Sequence, residues 1–214
     1  MSRKFLLAAT IGLLLVQSEA SSQSQGPPKF EVAAEFTTLT REDFTGQRTE
    51  PGLGGRFTYN LNKNLGVEAA GYFFPHRCFS CVNNGRMTEA VAGMKAGKRF
   101  QSWGIFAKAR PGVVSFSRSE INVIQTGAGP FPFVFELDRL TNFAIDFGAV
   151  VEFYPSRHIV TRFDAGDTLV HFKQRTNNDI RFDALTGNFT IVPITTPAKT
   201  NHNFQFIASV GFRF

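Results

Sequence analysis

Apolar and polar residues alternate along most of this chain with a period of two. In NFAIDFGAVVEFYPS (142–156) the odd positions are Phe143, Ile145, Phe147, Ala149, Val151 and Phe153, while the even ones include Asn142, Asp146, Gly148 and Glu152. That is a strand with one apolar face and one face of small or charged residues. The same alternation sets Phe30, Val32, Ala34 and Phe36 against Glu31 and Glu35, and Phe57, Tyr59 and Leu61 against Arg56, Thr58 and Asn60. It recurs over 65–74 with Glu68 and Tyr72 on the polar face, over 87–98 with Glu89 and Lys95, and over 104–117 with Lys108 and Arg110. Residues 158–168 place Arg162 and Asp164 opposite Ile159, Thr161 and Phe163. The chain ends NFQFIASVGFRF, in which Phe204, Phe206, Val210, Phe212 and Phe214 share a face and Arg213 takes the other. No segment sustains a helical period. Pro111-Gly112 reads as a bulge that resets the alternation.

Connections between these segments alternate in length. Residues 62–64, 99–103 and 155–157 are short, whereas 40–52, 75–86, 118–141 and 169–202 are long. Short turns at one end and long loops at the other predict an eight-stranded antiparallel up-and-down barrel. Its apolar faces are rich in Phe and its polar faces in glycine and charge, and the segments match the about 9–11 residues of a tilted strand crossing hydrocarbon. The fold class expected is therefore all-β, a transmembrane β-barrel with lipid outside and a polar lumen; a soluble exported barrel would need the reverse. Aromatics at strand ends, Phe30, Phe73, Tyr154, Phe204 and Phe214, fit girdles at the two membrane interfaces. In GAGPFPFVFELDRL (127–140) and FDALTGNFTIVPITTP (182–197) apolar residues sit where loop tips are normally polar. These segments read as strands extended past the membrane with hairpin tips, or as packed loops presenting a binding patch.

Composition adds an address. The 214 residues include 25 Phe but only 3 Tyr and 1 Trp, and mean hydropathy is −0.09, so the apolar residues are interleaved instead of gathered. Arg3 and Lys4, the apolar run Phe5–Val16 and Ser18-Glu19-Ala20 form a signal peptide over 1–20, too short for a membrane anchor. Residues 21–28 read as a linker and 29–214 as the barrel domain. The net charge of +6, from 23 Lys and Arg against 17 Asp and Glu, is too mild to indicate nucleic acid.

The alternating segments, the signal peptide and the terminal VGFRF together resemble the small outer membrane β-barrel family that includes OmpX and the transmembrane domain of OmpA. The resemblance covers residues 29–214; KAGKRFQSWGIFAKARPG (95–112) is also similar to a turn shared by such barrels. It implies a monomer in the bacterial outer membrane, surrounded by lipid and lipopolysaccharide, with both termini in the periplasm. It also implies that Phe212 and Phe214 act as a signal to the barrel-assembly machinery. A peptidoglycan-binding domain is not expected after Phe214.

The candidate chemistry lies on the polar faces. Glu31, Glu35, Glu68, Glu89, Asp146, Glu152 and Asp164 stand near balance with Arg56, Lys95, Lys108, Arg110, Arg162 and Arg213. In a narrow lumen such groups must pair, because an unpaired buried charge is costly. They form either a plug that holds the barrel shut or the constriction of a selective pore, and both readings use the same residues. Cys78 and Cys81 are spaced as C-x-x-C in the second long loop; a disulfide suits an oxidising compartment better than a redox dithiol or a zinc site short of ligands. Of His76, His158, His171 and His202, neither His171 nor His202 has the serine two residues away that the His-x-Ser pattern of deacylase barrels needs, so no catalysis is expected. Neither the sequon Asn188-Phe189-Thr190 nor Asp164–Asp167 carries a functional site, and no cofactor is implied. Three roles follow: a structural or surface-interaction protein, with ligand contact through the outer loops; a narrow channel; or a lipid A-modifying enzyme.

Overall fold

The computed structural model describes residues 28–43, 46–75, 86–125, 127, 133–183 and 187–214. These form ten strands: β1 (Phe30–Asp43), β2 (Gly46–Asn60), β3 (Leu65–Phe74), β4 (Met87–Arg99), β5 (Trp103–Gln125), β6 (Phe133–Phe153), β7 (Ile159–Phe172), β8 (Arg175–Asp183), β9 (Asn188–Thr196) and β10 (Lys199–Arg213). Eight close into an antiparallel barrel in the order β1-β10-β7-β6-β5-β4-β3-β2, and β8 and β9 pair as a separate hairpin. Closure joins first and last strands from Glu31↔Arg213 to Thr40↔Phe204. Beyond that register, Phe30 and Phe214 exchange backbone hydrogen bonds of 3.0 and 2.9 Å, so no sheet edge remains at the seam.

Side chains at the short turns fix their geometry. Asn62 Oδ1 accepts from the backbone N–H of Asn64 at 2.8 Å and of Leu65 at 3.0 Å. Ser156 Oγ does the same for His158 at 3.3 Å and Ile159 at 3.1 Å. Such Asx and Ser motifs hold tight turns without further sequence.

The other end differs from the sequence reading in three places. Residues 40–52 are not a loop: β1 and β2 stay in register up to Asp43↔Gly46, and Gly46 takes φ 118°, which a side chain resists. The third connection shortens to residues 126–132, because β5 and β6 pair up to Gln125↔Phe133. Much of the fourth is the β8–β9 hairpin, in register from Arg175↔Thr196 to Asp183↔Asn188. Extended strands are the form that the described part of the third segment takes, whereas the fourth adds a hairpin of its own; the tips lie outside the described residues. The expected bulge at Pro111-Gly112 is absent: Arg110↔Asp146, Pro111↔Ile145 and Gly112↔Ala144 are consecutive pairs. The register shift lies further on, between Phe116 and Glu120, where the sheet leaves the region in which a one-sided apolar face pins it. Cys78, Cys81, His76 and residues 1–27 lie outside the described residues.

Alternate residues point in and out as the pattern predicts. The lumen has two layers. Towards the short-turn end it is filled with charged side chains. Towards the long end a core of Leu39, Phe74, Met87, Val91, Val114, Phe116, Leu140, Val170 and Ile207 closes it, with an Arg41–Glu50 ion pair set beside Leu39 and Phe116. Sequence alternation had marked the first layer only; the second is made by inward positions that turn apolar above the charges.

Candidate functional site

The outer wall determines what the barrel sits in. Leu53 is 66% exposed, Val210 57%, Val32 50%, and Phe36, Phe57, Phe143, Phe147, Phe163 and Phe212 are all open on the outside. The buried set is meanwhile rich in Glu, Asp, Lys and Arg. Water favours the opposite arrangement; hydrocarbon favours this one, since a closed ladder satisfies every backbone group and the apolar faces meet lipid. At the short-turn rim the ring of Phe30 packs against Tyr59 at 5.2 Å and Phe214 at 5.8 Å, and Phe100 stacks on Trp103 at 4.4 Å. These make an interfacial girdle. Tyr154, expected in that girdle, instead turns to the mouth of the lumen and donates to Glu152 Oε2 at 2.8 Å. Burial first, then the Glu152 carboxylate, raises its hydroxyl pKa above the usual tyrosine value.

The lumen charges form a connected lattice. At its centre Arg162 clamps Asp164 with two bonds, Nε to Oδ1 at 2.6 Å and Nη2 to Oδ2 at 2.7 Å, and also reaches both oxygens of Glu68. Such forks are the strongest protein hydrogen bonds. Arg56 Nε donates to Glu35 Oε1 at 2.7 Å and its Nη1 to Thr58 at 2.6 Å, with Glu68 3.5 Å away. Lys108 bridges Asp146 at 3.0 Å and Asp164 at 3.1 Å. Arg110 holds Asp146 through Nε at 2.7 Å, and Tyr72 ties that pair to the next by accepting from Arg110 at 3.2 Å and donating to Glu35 at 2.6 Å. Lys95 pairs with Glu152 and lies 3.7 Å from Glu31.

Two members expected in this lattice stand apart from it. Glu89 makes no ion pair among the described residues; it accepts from Gln205 at 3.0 Å, and Gln205 continues to Thr37 and Thr168. Arg213 lies at the mouth, donating to Ser156 O at 2.8 Å with its guanidinium 4.4 Å from the Tyr154 ring centre. One member was missed. Arg99, read as part of a turn, is the last residue of β4 and reaches Glu31 at 3.4 Å and Glu152 at 3.3 Å. Continuing the alternation from Lys95 by two steps would have found it. Tyr72, Thr58, Asn60 and Gln205 carry no charge, and only the packed lumen shows that they connect those that do.

Outside the barrel, His202 Nδ1 faces Asp167 Oδ2 at 2.6 Å and His171 Nδ1 lies 3.1 Å from Thr200 Oγ1. Among the described residues no group of His, Cys, Asp and Glu could hold a metal ion.

A lipid-facing apolar wall, an aromatic rim and a charged interior define an eight-stranded transmembrane β-barrel, the fold of the small bacterial outer-membrane barrels. Comparison of structures agrees. The chain is similar to Neisserial surface protein A, at TM-score 0.52 and 13% identity over 89% of this chain and 100% of that one. It is also similar to Ail, the attachment invasion locus protein of Yersinia pestis, at 0.50 and 11% over 88% and 99%. Ail in complex with the heparin analogue sucrose octasulfate gives 0.51 and 10% over the same shares. Identities this low speak to fold alone. Neither a family model nor a curated protein sequence matches the chain.

Proposed function

We propose that this protein is a closed outer-membrane barrel that works through its outer face, as a structural element and a surface for contact, and not as a pore or an enzyme. The observation that carries this reading is the double seal. Arg162, Glu68, Asp164 and Lys108 are almost entirely buried in one layer, and Leu39, Phe74, Met87, Phe116 and Ile207 fill the other. An ion passing through would have to break forked ion pairs and then cross an apolar layer, and each step carries a desolvation cost. Eight strands leave only as much interior as side chains fill.

Contact with other molecules falls to the outer end. There the β5–β6 ladder and the β8–β9 hairpin meet, with Phe133 against Phe189 at 6.2 Å, and leave Phe135 60% and Phe182 55% exposed. Apolar residues held on rigid strands are the usual makings of a binding surface. Lipopolysaccharide is the natural neighbour of the belt. The test is planar-bilayer recording of the refolded barrel: a silent membrane is expected, and stepwise openings of uniform size would refute the sealed lumen.

A further inference from the structure

The short-turn mouth of the barrel encloses a vestibule of about 510 Å³ with a cationic wall. Lys63 from the β2–β3 turn, Arg99, Arg157 and His158 from the β6–β7 turn, and Arg213 face it, and among the described residues no Asp or Glu lines it. At its floor two guanidiniums share one ring: the Arg213 carbon lies 4.4 Å and the Arg99 carbon 5.2 Å from the centre of Tyr154. Two like charges beside one ring repel, a repulsion that Glu31 and Glu152 on the inner side of Arg99 partly offset.

Both guanidiniums are also incompletely used. The Arg99 side chain is 8% exposed. Its Nη2 turns inward to Glu31, Asn60 and Glu152, while its Nε and Nη1 have no hydrogen-bond partner among the described residues. Arg213 spends Nη2 on Ser156 O, and its Nε is likewise without one. Such donors without acceptors also occur on Arg41, Arg56 and Arg110 away from the vestibule; at the mouth a small rotation of the side chain would offer them to an oxyanion, and the planar guanidinium fork matches phosphate geometry. Phe100 and Phe214 also line the vestibule, and both belong to the aromatic rim, so it opens beside the membrane interface.

We propose that this vestibule is an anion site that takes a phosphate group, held by Arg99 and Arg213 at the floor and by Lys63 and Arg157 at the rim. The phosphate is either free or the headgroup of an anionic lipid of the periplasmic leaflet. The site does not depend on whether the lumen conducts, because it opens at the short-turn mouth, although Arg99 also joins the lattice inside.

The test is calorimetric titration of the full refolded barrel in non-ionic micelles at constant ionic strength, with inorganic phosphate and with short-chain phosphatidylglycerol as separate probes. Saturable binding of one equivalent is expected, weakened tenfold or more by Lys63→Gln with Arg157→Gln. Those two residues are exposed in turns, so the fold should persist, which the shift of gel mobility on boiling checks. Arg213→Gln should weaken binding similarly. Binding of both probes in competition marks a general phosphate site, binding of the lipid alone a headgroup site, and binding of phosphate alone a site for the free ion. No saturable binding of either probe, or binding unchanged in the folded variants, overturns the proposal.

Discussion

Arg162 is the residue on which the lumen turns. It is fully buried and serves Asp164 and Glu68 at once. Replacing it by Met leaves two carboxylates without their principal partner, and breaking a buried pair in this way costs about 3–5 kcal/mol. Urea unfolding of the refolded barrel should show that loss, with Arg162→Lys in between because the charge remains but the fork does not. Glycine has an equally local role opposite Tyr72. A Cβ at Gly54 would fall 2.4 Å from Tyr72 Cδ1 and 2.3 Å from Gly71 O. Gly54→Ala therefore pushes Tyr72 off Glu35 and Arg110, and a loss of about 1–3 kcal/mol is expected from overpacking. Gly71→Ala, whose Cβ would meet nothing closer than Glu89 O at 3.8 Å, should leave the same unfolding curve in place. Which residues face inward was legible in the sequence, because alternation alone decides it. Which acid meets which base was not. Arg162 and Glu68 lie 94 positions apart, and their meeting depends on strand tilt and on the order in which the sheet closes.

At the scale of the elements, strands were legible wherever lipid demanded an apolar face. The membrane portions of β1, β2 and β10 follow that signal closely. Beyond the belt the outer face need no longer be apolar, so the sequence loses its period of two, and TREDFTGQRTEPG (40–52) reads as a loop although it is mostly ladder, with Glu50 buried against Arg41. Pro51, a residue that a ladder seldom admits, sits opposite Thr38 within the β1–β2 register. The β8–β9 hairpin shows little alternation for the same reason, β9 being exposed or half-buried along its length, and it was the apolar residues of 182–197 that marked a hairpin there. It is an appendage to the barrel. It is tied to the barrel where β8 lies against β5, by the Phe133–Phe189 contact and by a 3.3 Å bond from Arg175 to Asn142. Excising residues 174–197 and joining β7 to β10 by a short glycine-containing turn should thus leave a barrel whose unheated and boiled gel bands still differ, while removing Phe182 and Phe189 from the outer surface. Coincident bands would show that the hairpin is needed for the barrel itself.

For the whole molecule, closure is the event that matters, and it happens between residues far apart in the chain. The seam pairs β1 with β10, and Phe214 contributes two backbone hydrogen bonds and a ring stacked on Phe30 to it. We expect deletion of Phe214 to lower insertion into membranes by assembly machinery far more than it lowers the unfolding free energy of barrel already inserted. The seam keeps its ladder up to Glu31↔Arg213, so the inserted barrel loses little, whereas a recognition signal would be gone. Equal losses in both measurements would reduce Phe214 to a packing residue.

The charged interior also has a consequence for the journey of the chain. Glu, Asp, Lys and Arg recur so regularly that no stretch of residues 28–214 as long as the roughly 18 residues of an apolar helical span is free of them. An inserting helix bears each central charge at a cost of roughly 2.5–3.5 kcal/mol. Before it folds, then, the polypeptide cannot lodge as a helix in a bilayer it merely passes through. Only when its strands extend and pair do the phenylalanines gather on one side, so the side chains that seal the finished barrel are also those that let it travel past the wrong membrane.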